Sequence, residues 1–143
     1  MQLSSELFFV SSNTHKFEEV KRILSKIGLE INFSKVILEE IQSNSLDEIA
    51  KRKAIDAFSR IQKPLIIEDD GLFIDSLNGF PGPYSSYVYD TIGNKGLIRL
   101  LENNESRNAK FAAIIAYCNG VDDVKLFESS ISGKISLSIE DGG

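Results

Sequence analysis

An α/β fold, with a mixed central β-sheet flanked by helices, is the class this sequence predicts, and three observations carry the prediction. Short apolar runs at Leu7-Phe8-Phe9-Val10 and Leu65-Ile66-Ile67 alternate with stretches of helical period. The second of these runs ends in three carboxylates, Glu68-Asp69-Asp70, where open α/β sheets place their ligands. Beyond residue 108 the apolar period changes to two, which predicts an antiparallel C-terminal part. The chain has 143 residues, 42% of them hydrophobic, enough for one domain spanning 1–143 with its own core.

The first strand, over Leu7–Val10, is followed at once by Ser11-Ser12-Asn13-Thr14-His15-Lys16 and then by a helix with apolar residues at Phe17, Val20, Ile23, Leu24 and Ile27. Gly28 suits the left-handed residue that ends such a helix. Small polar residues at a helix start serve as N-caps. With Lys16 in the first turn, the same geometry can also bind phosphate, because a helix N-terminus presents unsatisfied N–H groups and a partial positive charge. His15, the single histidine, supplies neither a metal cluster nor a triad and reads as a surface residue.

Ile31–Phe33 and Val36–Leu38 read as short strands leading to Glu39-Glu40. Ser45-Leu46-Asp47-Glu48 forms a capping box. The helix it opens has an apolar stripe at Leu46, Ile49, Ala50, Ala54, Ala57, Phe58 and Ile61, and Pro64 stops it. Lys51 and Arg52 fall on its solvated face, and Lys53 lies on the edge of the packed side, within possible reach of the strand end. At that end the three carboxylates are either a Mg²⁺ site or an acidic, solvated junction. In an extended strand Glu68 and Asp70 point one way and Asp69 the other, so all three meet one ion only if the chain turns, as Gly71 allows.

Asn78-Gly79 and Pro81-Gly82-Pro83 predict a stiff loop, followed by Tyr84, Tyr87 and Tyr89, which either stack a base or pack the loop onto the core. Gly93–Gly96 leads into a short helix over Leu97–Leu101. Ala109–Tyr117 and Val124–Ile131, joined through Asn119–Asp123, predict a hairpin, with a further strand over Lys134–Ile139 after Ser132-Gly133. Cys118, the one cysteine, excludes an internal disulfide and reads as inert at a strand end. A net charge of −5 argues against a broad grip on nucleic acid, and no apolar run is long enough for a membrane helix or a signal core, so a cytoplasmic compartment is expected.

Ser11-Ser12-Asn13-Thr14-His15-Lys16 resembles a Thr-Gly-Asn-x-x-Lys motif, and Glu68-Asp69-Asp70-Gly71 with Gly79-Phe80-Pro81-Gly82-Pro83-Tyr84-Ser85 resembles the central motifs, of the inosine triphosphate pyrophosphatase (HAM1-like) family. Thr91-Ile92-Gly93-Asn94 and Ser132-Gly133-Lys134-Ile135 extend the likeness over essentially the whole chain. It implies a two-lobed fold with a nucleotide cleft, a homodimer, and Mg²⁺-dependent hydrolysis of ITP, dITP and XTP to the monophosphate and pyrophosphate. It places the turn Ser11, Ser12, Asn13, Thr14, His15 and Lys16 on the triphosphate, with Lys53 as a second phosphate lysine and Asp70 where a substrate-contacting serine normally stands. It makes Glu40 and Asp69 the metal ligands, and Asp69 also the base for the attacking water.

Two residues depart from the family pattern: Ser12 stands for a glycine, restricting a backbone that must approach phosphate, and Asp70 for a serine, adding charge near a polyanion. The chain ends at Glu140-Asp141-Gly142-Gly143, where family members continue into base-recognising motifs. The expectation is thus a domain truncated before that segment, with an inactive nucleotide-binding remnant as the alternative function.

Overall fold

The computed structural model describes residues 6–139. The strands are β1 (Phe8–Ser11), β2 (Asn32–Lys35), β3 (Leu65–Ile74), β4 (Pro81–Gly82), β5 (Asn108–Cys118) and β6 (Val124–Lys134). The helices are α1 (Thr14–Ser25), α2 (Leu46–Ile61), α3 (Ser85–Thr91) and α4 (Gly93–Leu100). The strands form one mixed six-stranded sheet in the order β2-β1-β3-β5-β6, with β4 paired to β3. By its contacts the chain divides into two compact units. The first holds the residues up to Gln42, Asp47–Asp69 and Ile114–Phe127; the second holds Ser43–Leu46, Asp70–Ala113 and the residues from Glu128 on.

In the first unit, β2 and the start of β3 both run parallel to β1, on opposite sides of it. Crossovers of the usual right hand then carry α1 and α2 over opposite faces of the sheet, which makes the C-terminal end of β1 a topological switch point. Packing on the α1 face follows from the pleat. Phe9 and Ile66 point to it and bury against Phe17 and Ile31. The Phe17 and Phe33 rings stack at 4.5 Å, fixing the first turn of α1. That helix ends as Gly28 predicts: Gly28 has φ +79°, its N–H reaches Ser25 O, and Leu29 N–H reaches Leu24 O, a Schellman closure. The α1 stripe is narrower than its period suggests, since Ile23 and Ile27 are exposed. In α2 the stripe holds, with Leu46, Ile49, Ala50, Ala54 and Ala57 buried and Lys51 and Arg52 exposed. Gln62, at φ 51°, takes the chain out of the helix two residues before Pro64.

The second unit buries Ile74, Val88, Leu97, Leu101 and Ala109. Arg107 ties the segment after β6 to this core: its guanidinium donates to the carbonyls of Leu101, Ile135 and Ser136 at 3.2, 2.8 and 2.7 Å.

Several local expectations are corrected. Val36–Leu38 is not a strand; β2 covers Asn32–Lys35 instead. The helix expected at Leu97 begins at Gly93, and the residues after Tyr84 form α3, with Val88 turned inward and Tyr87 and Tyr89 each 64% exposed. The tyrosines therefore do not pack a loop onto the core. Strand β6 runs straight through Ser132-Gly133 to Lys134, and no strand follows over 135–139, because pairing with β5 outweighs the weak strand preference of those two residues.

Gly71 is the most instructive correction. Strand β3 does not turn there but continues to Ile74, pairing antiparallel with β4 at Leu72↔Gly82 and Phe73↔Pro81. A Cβ on Gly71 would stand 2.4 Å from the Gly82 carbonyl oxygen, so glycine is required for close approach rather than for bending. Ser85 Oγ locks the same crossing, accepting from Leu72 N–H at 2.8 Å and donating to Gly82 O at 2.6 Å. Gly71→Ala should lower stability by about 2–3 kcal/mol, the cost of forcing backbone apart in a packed region. A thermal midpoint equal to the parent's would show that β3 and β4 are not held this tightly.

Candidate active site

The site is built in the first unit, at the C-terminal ends of β1 and of the parallel part of β3. The β1–β3 register pairs Phe8 with Leu65 and Phe9 with Ile66; continued, it brings Ser11 beside Glu68. Ser11, Ser12, Glu40, Lys53 and Glu68, with Val10 and Val36–Leu38, line a cavity of about 370 Å³. That volume is in the range of small-ligand pockets.

Asn13 begins α1 as a true N-cap: its Oδ1 accepts the Lys16 backbone N–H at 3.1 Å. Ser11 Oγ accepts Asn13 N–H at 3.0 Å, so the turn is braced by its own side chains. Ser12 is exposed, and among the described residues only Gln62, Asn78 and Asn103 are non-glycine positions with positive φ. A serine at position 12 is thus accommodated without backbone strain. Thr14 and His15 stand exposed on the first turn of α1.

Two lysines reach the strand end, one from each helix. Lys16 Nζ, from α1, donates to Glu68 Oε2 at 2.6 Å. Lys53 Nζ, from α2, donates to Glu40 Oε1 at 2.9 Å and lies 3.7 Å from Asp69 Oδ2, an ion pair rather than a hydrogen bond. The alternation of β3 explains this division. Glu68 shares the face of Ile66 and meets α1, whereas Asp69 points the other way and meets α2. Asp70, half-buried at the next position, belongs to the second unit.

Lys53 therefore does reach the strand end, and Glu40 and Asp69 converge on it. Two features were not legible beforehand: Glu68 as the partner of Lys16, and Val36–Leu38 as cavity wall. The common parity of Ile66 and Glu68 was the available signal for the first. Among the described residues, no group of three or more histidine, cysteine, aspartate or glutamate side chains gathers as a metal cluster. The carboxylates of Glu40 and Asp69 are nonetheless drawn to a single cationic nitrogen, and two carboxylates are what Mg²⁺ commonly takes from a protein when substrate phosphates and water complete its shell. The donor set fits that ion.

The chain is 43% identical over 131 residues to a protein of Methanopyrus kandleri named dITP/XTP pyrophosphatase, covering 92% of this chain and 70% of that one. It is 41% identical over 130 residues to a protein of the same name from Hyperthermus butylicus, covering 91% and 68%. A solved HAM1 protein from Coxiella burnetii superposes with a TM-score of 0.81 at 26% identity, covering 94% of this chain and 74% of that one. A family model described as the Ham1 family matches residues 7–143, a span that contains both lysines, both of their carboxylate partners on β3 and the whole switch point, and the chain belongs to that family.

Proposed function

We propose that this chain hydrolyses non-canonical purine nucleoside triphosphates, ITP, dITP and XTP, to the monophosphate and pyrophosphate. The observation that carries the reading is the convergence of Lys16 and Lys53 from two helices onto one strand end, around a cavity edged by the Ser11-Ser12 turn. A polyphosphate entering there meets an ammonium from each side of the sheet and the N-terminus of α1. The names of the relatives from Methanopyrus kandleri and Hyperthermus butylicus support the substrate class.

Glu40 and Asp69 would hold Mg²⁺, which when bound supplies charge neutralisation to the phosphates. The protein's own groups do the rest. Asp69 orients a water for in-line attack on the α-phosphorus and accepts its proton. The new bond joins the water oxygen to that phosphorus as the bond to the β-phosphate bridge breaks. The departing pyrophosphate carries the electron pair away, and Lys16 and Lys53 stabilise the charge that develops on it. A homodimer acting in the cytoplasm is part of the same proposal. The exposure of Phe127 and Ile131 on the terminal strand β6 supports an association surface, and no helix among the described residues is long and apolar enough to cross a membrane.

Phosphorus NMR of the products tests the reaction. With Mg²⁺ and ITP, dITP or XTP the expected signals are pyrophosphate and the nucleoside monophosphate, with little product from ATP. Orthophosphate as the first product would replace the reading with that of a general phosphohydrolase, and no product from folded protein would favour a nucleotide-binding role without turnover.

A further inference from the structure

We infer that Glu68 is a positioning residue: from the cavity wall it fixes the Lys16 ammonium before a polyphosphate arrives. The inference rests on Lys16 being a phosphate contact. Both ends of that lysine are held. Its backbone N–H is taken by the Asn13 cap, and its Nζ donates to Glu68 Oε2 at 2.6 Å, the short distance of a charge-assisted bond. The two residues lie 52 positions apart, and the sheet brings them together.

Glu68 is only 15% exposed and lines the cavity with Ser11 and Ser12. A carboxylate in that position is at first sight out of place, since it faces the ligand's own negative charge. Its use is conformational. A lysine has four rotatable bonds and gives up rotamer freedom when it is fixed. Glu68 removes that freedom in the empty protein, so less of it is lost on binding. An ammonium has three N–H donors, and the bond to Glu68 uses one of them.

Positioning and plain electrostatics predict opposite signs, which makes the inference testable. Removing a negative charge beside a polyanion should tighten binding if charge alone matters. Releasing Lys16 should weaken it. The measurement is calorimetric binding of inorganic pyrophosphate, with Mg²⁺, to the parent, Glu68→Ala, Glu68→Gln, Lys16→Ala and the Lys16→Ala/Glu68→Ala pair.

Glu68→Ala should weaken binding about tenfold, the size expected for losing one charge-assisted hydrogen bond. The nearly isosteric Glu68→Gln should lose less, because its amide oxygen still accepts from the ammonium, and it carries the test if the alanine variant does not fold. In the Lys16→Ala background the Glu68 change should cost nothing further, since what it positions is gone. Unchanged or tighter binding in Glu68→Ala or Glu68→Gln would overturn the inference, as would an equal loss with and without Lys16. If Lys16→Ala itself leaves the affinity unchanged, the phosphate assignment fails, and the role of Glu68 fails with it.

Discussion

Asp69→Asn is expected to lower kcat for ITP or XTP by about a thousandfold, within the span that a positioned acid–base group contributes, while leaving the protein folded. The substitution keeps the shape and hydrogen-bonding capacity of the side chain and removes its charge. The surroundings tolerate that change, because Lys53 retains its 2.9 Å bond to Glu40 and the salt link to Asp69 is the longer of its two contacts. Folding is therefore checked by an unchanged circular dichroism spectrum and a thermal midpoint within a few degrees of the parent. A variant that turns over within tenfold of the parent would remove Asp69 from the chemistry and leave it as a counterion of Lys53.

Lys53→Met carries the second large effect, and it runs in two directions. Methionine preserves the apolar stem on the edge of α2 but removes the ammonium, one of the two cations at the strand end. Turnover should fall by about a hundredfold or more, as when one preorganised donor to developing charge is lost. Divalent-cation binding in the absence of nucleotide should tighten, because Glu40 and Asp69 lose the internal cation that competes for them. Asp69 is only 15% exposed, so the variant leaves its carboxylate poorly solvated without the Lys53 ammonium; its thermal midpoint should drop without metal and recover on adding Mg²⁺. Manganese titration followed by electron paramagnetic resonance reads the affinity directly. Equal affinity in parent and variant would mean that Lys53 and the cation do not share those carboxylates.

What the sequence disclosed was what depends on neighbours along the chain. The alanine-rich face of α2, the apolar run of β3, the Asn13 cap and the closure at Gly28 are set within a few residues, and each is found where its pattern puts it. The errors arise where distant pairing decides. Gly71 suits a turn by its own preference, but its place is dictated by Gly82 eleven residues on, whose carbonyl crosses too closely for any side chain. Ser132-Gly133 resembles a strand break and is carried through by β5. The site divides in the same way. Residue types and their resemblance to a family motif marked Lys16, Glu40, Lys53 and Asp69 as candidates, but no local pattern links Glu68 to a lysine 52 positions earlier. That pairing exists only once β1 and β3 are side by side.

The charges at the strand end have a consequence for the company this protein keeps. Lys16 and Lys53 supply two positive charges, and their partners Glu40, Glu68 and Asp69 supply three negative ones, so this group of five is not an anion trap when empty. Cells are crowded with phosphate esters, from monophosphates to the backbone of RNA, and a bare pair of lysines would collect them indiscriminately. Here an incoming anion must compete with Glu40 and Asp69 for the Lys53 ammonium, while Glu68 holds Lys16 in place. Under the proposed binding of Mg²⁺ by Glu40 and Asp69, a ligand that brings its own divalent cation meets the opposite balance, since the cation would take those two carboxylates and release Lys53 to the phosphates. On the proposed reading, singly phosphorylated molecules that bring no cation should bind the empty pocket weakly, so that selectivity begins before any base is read.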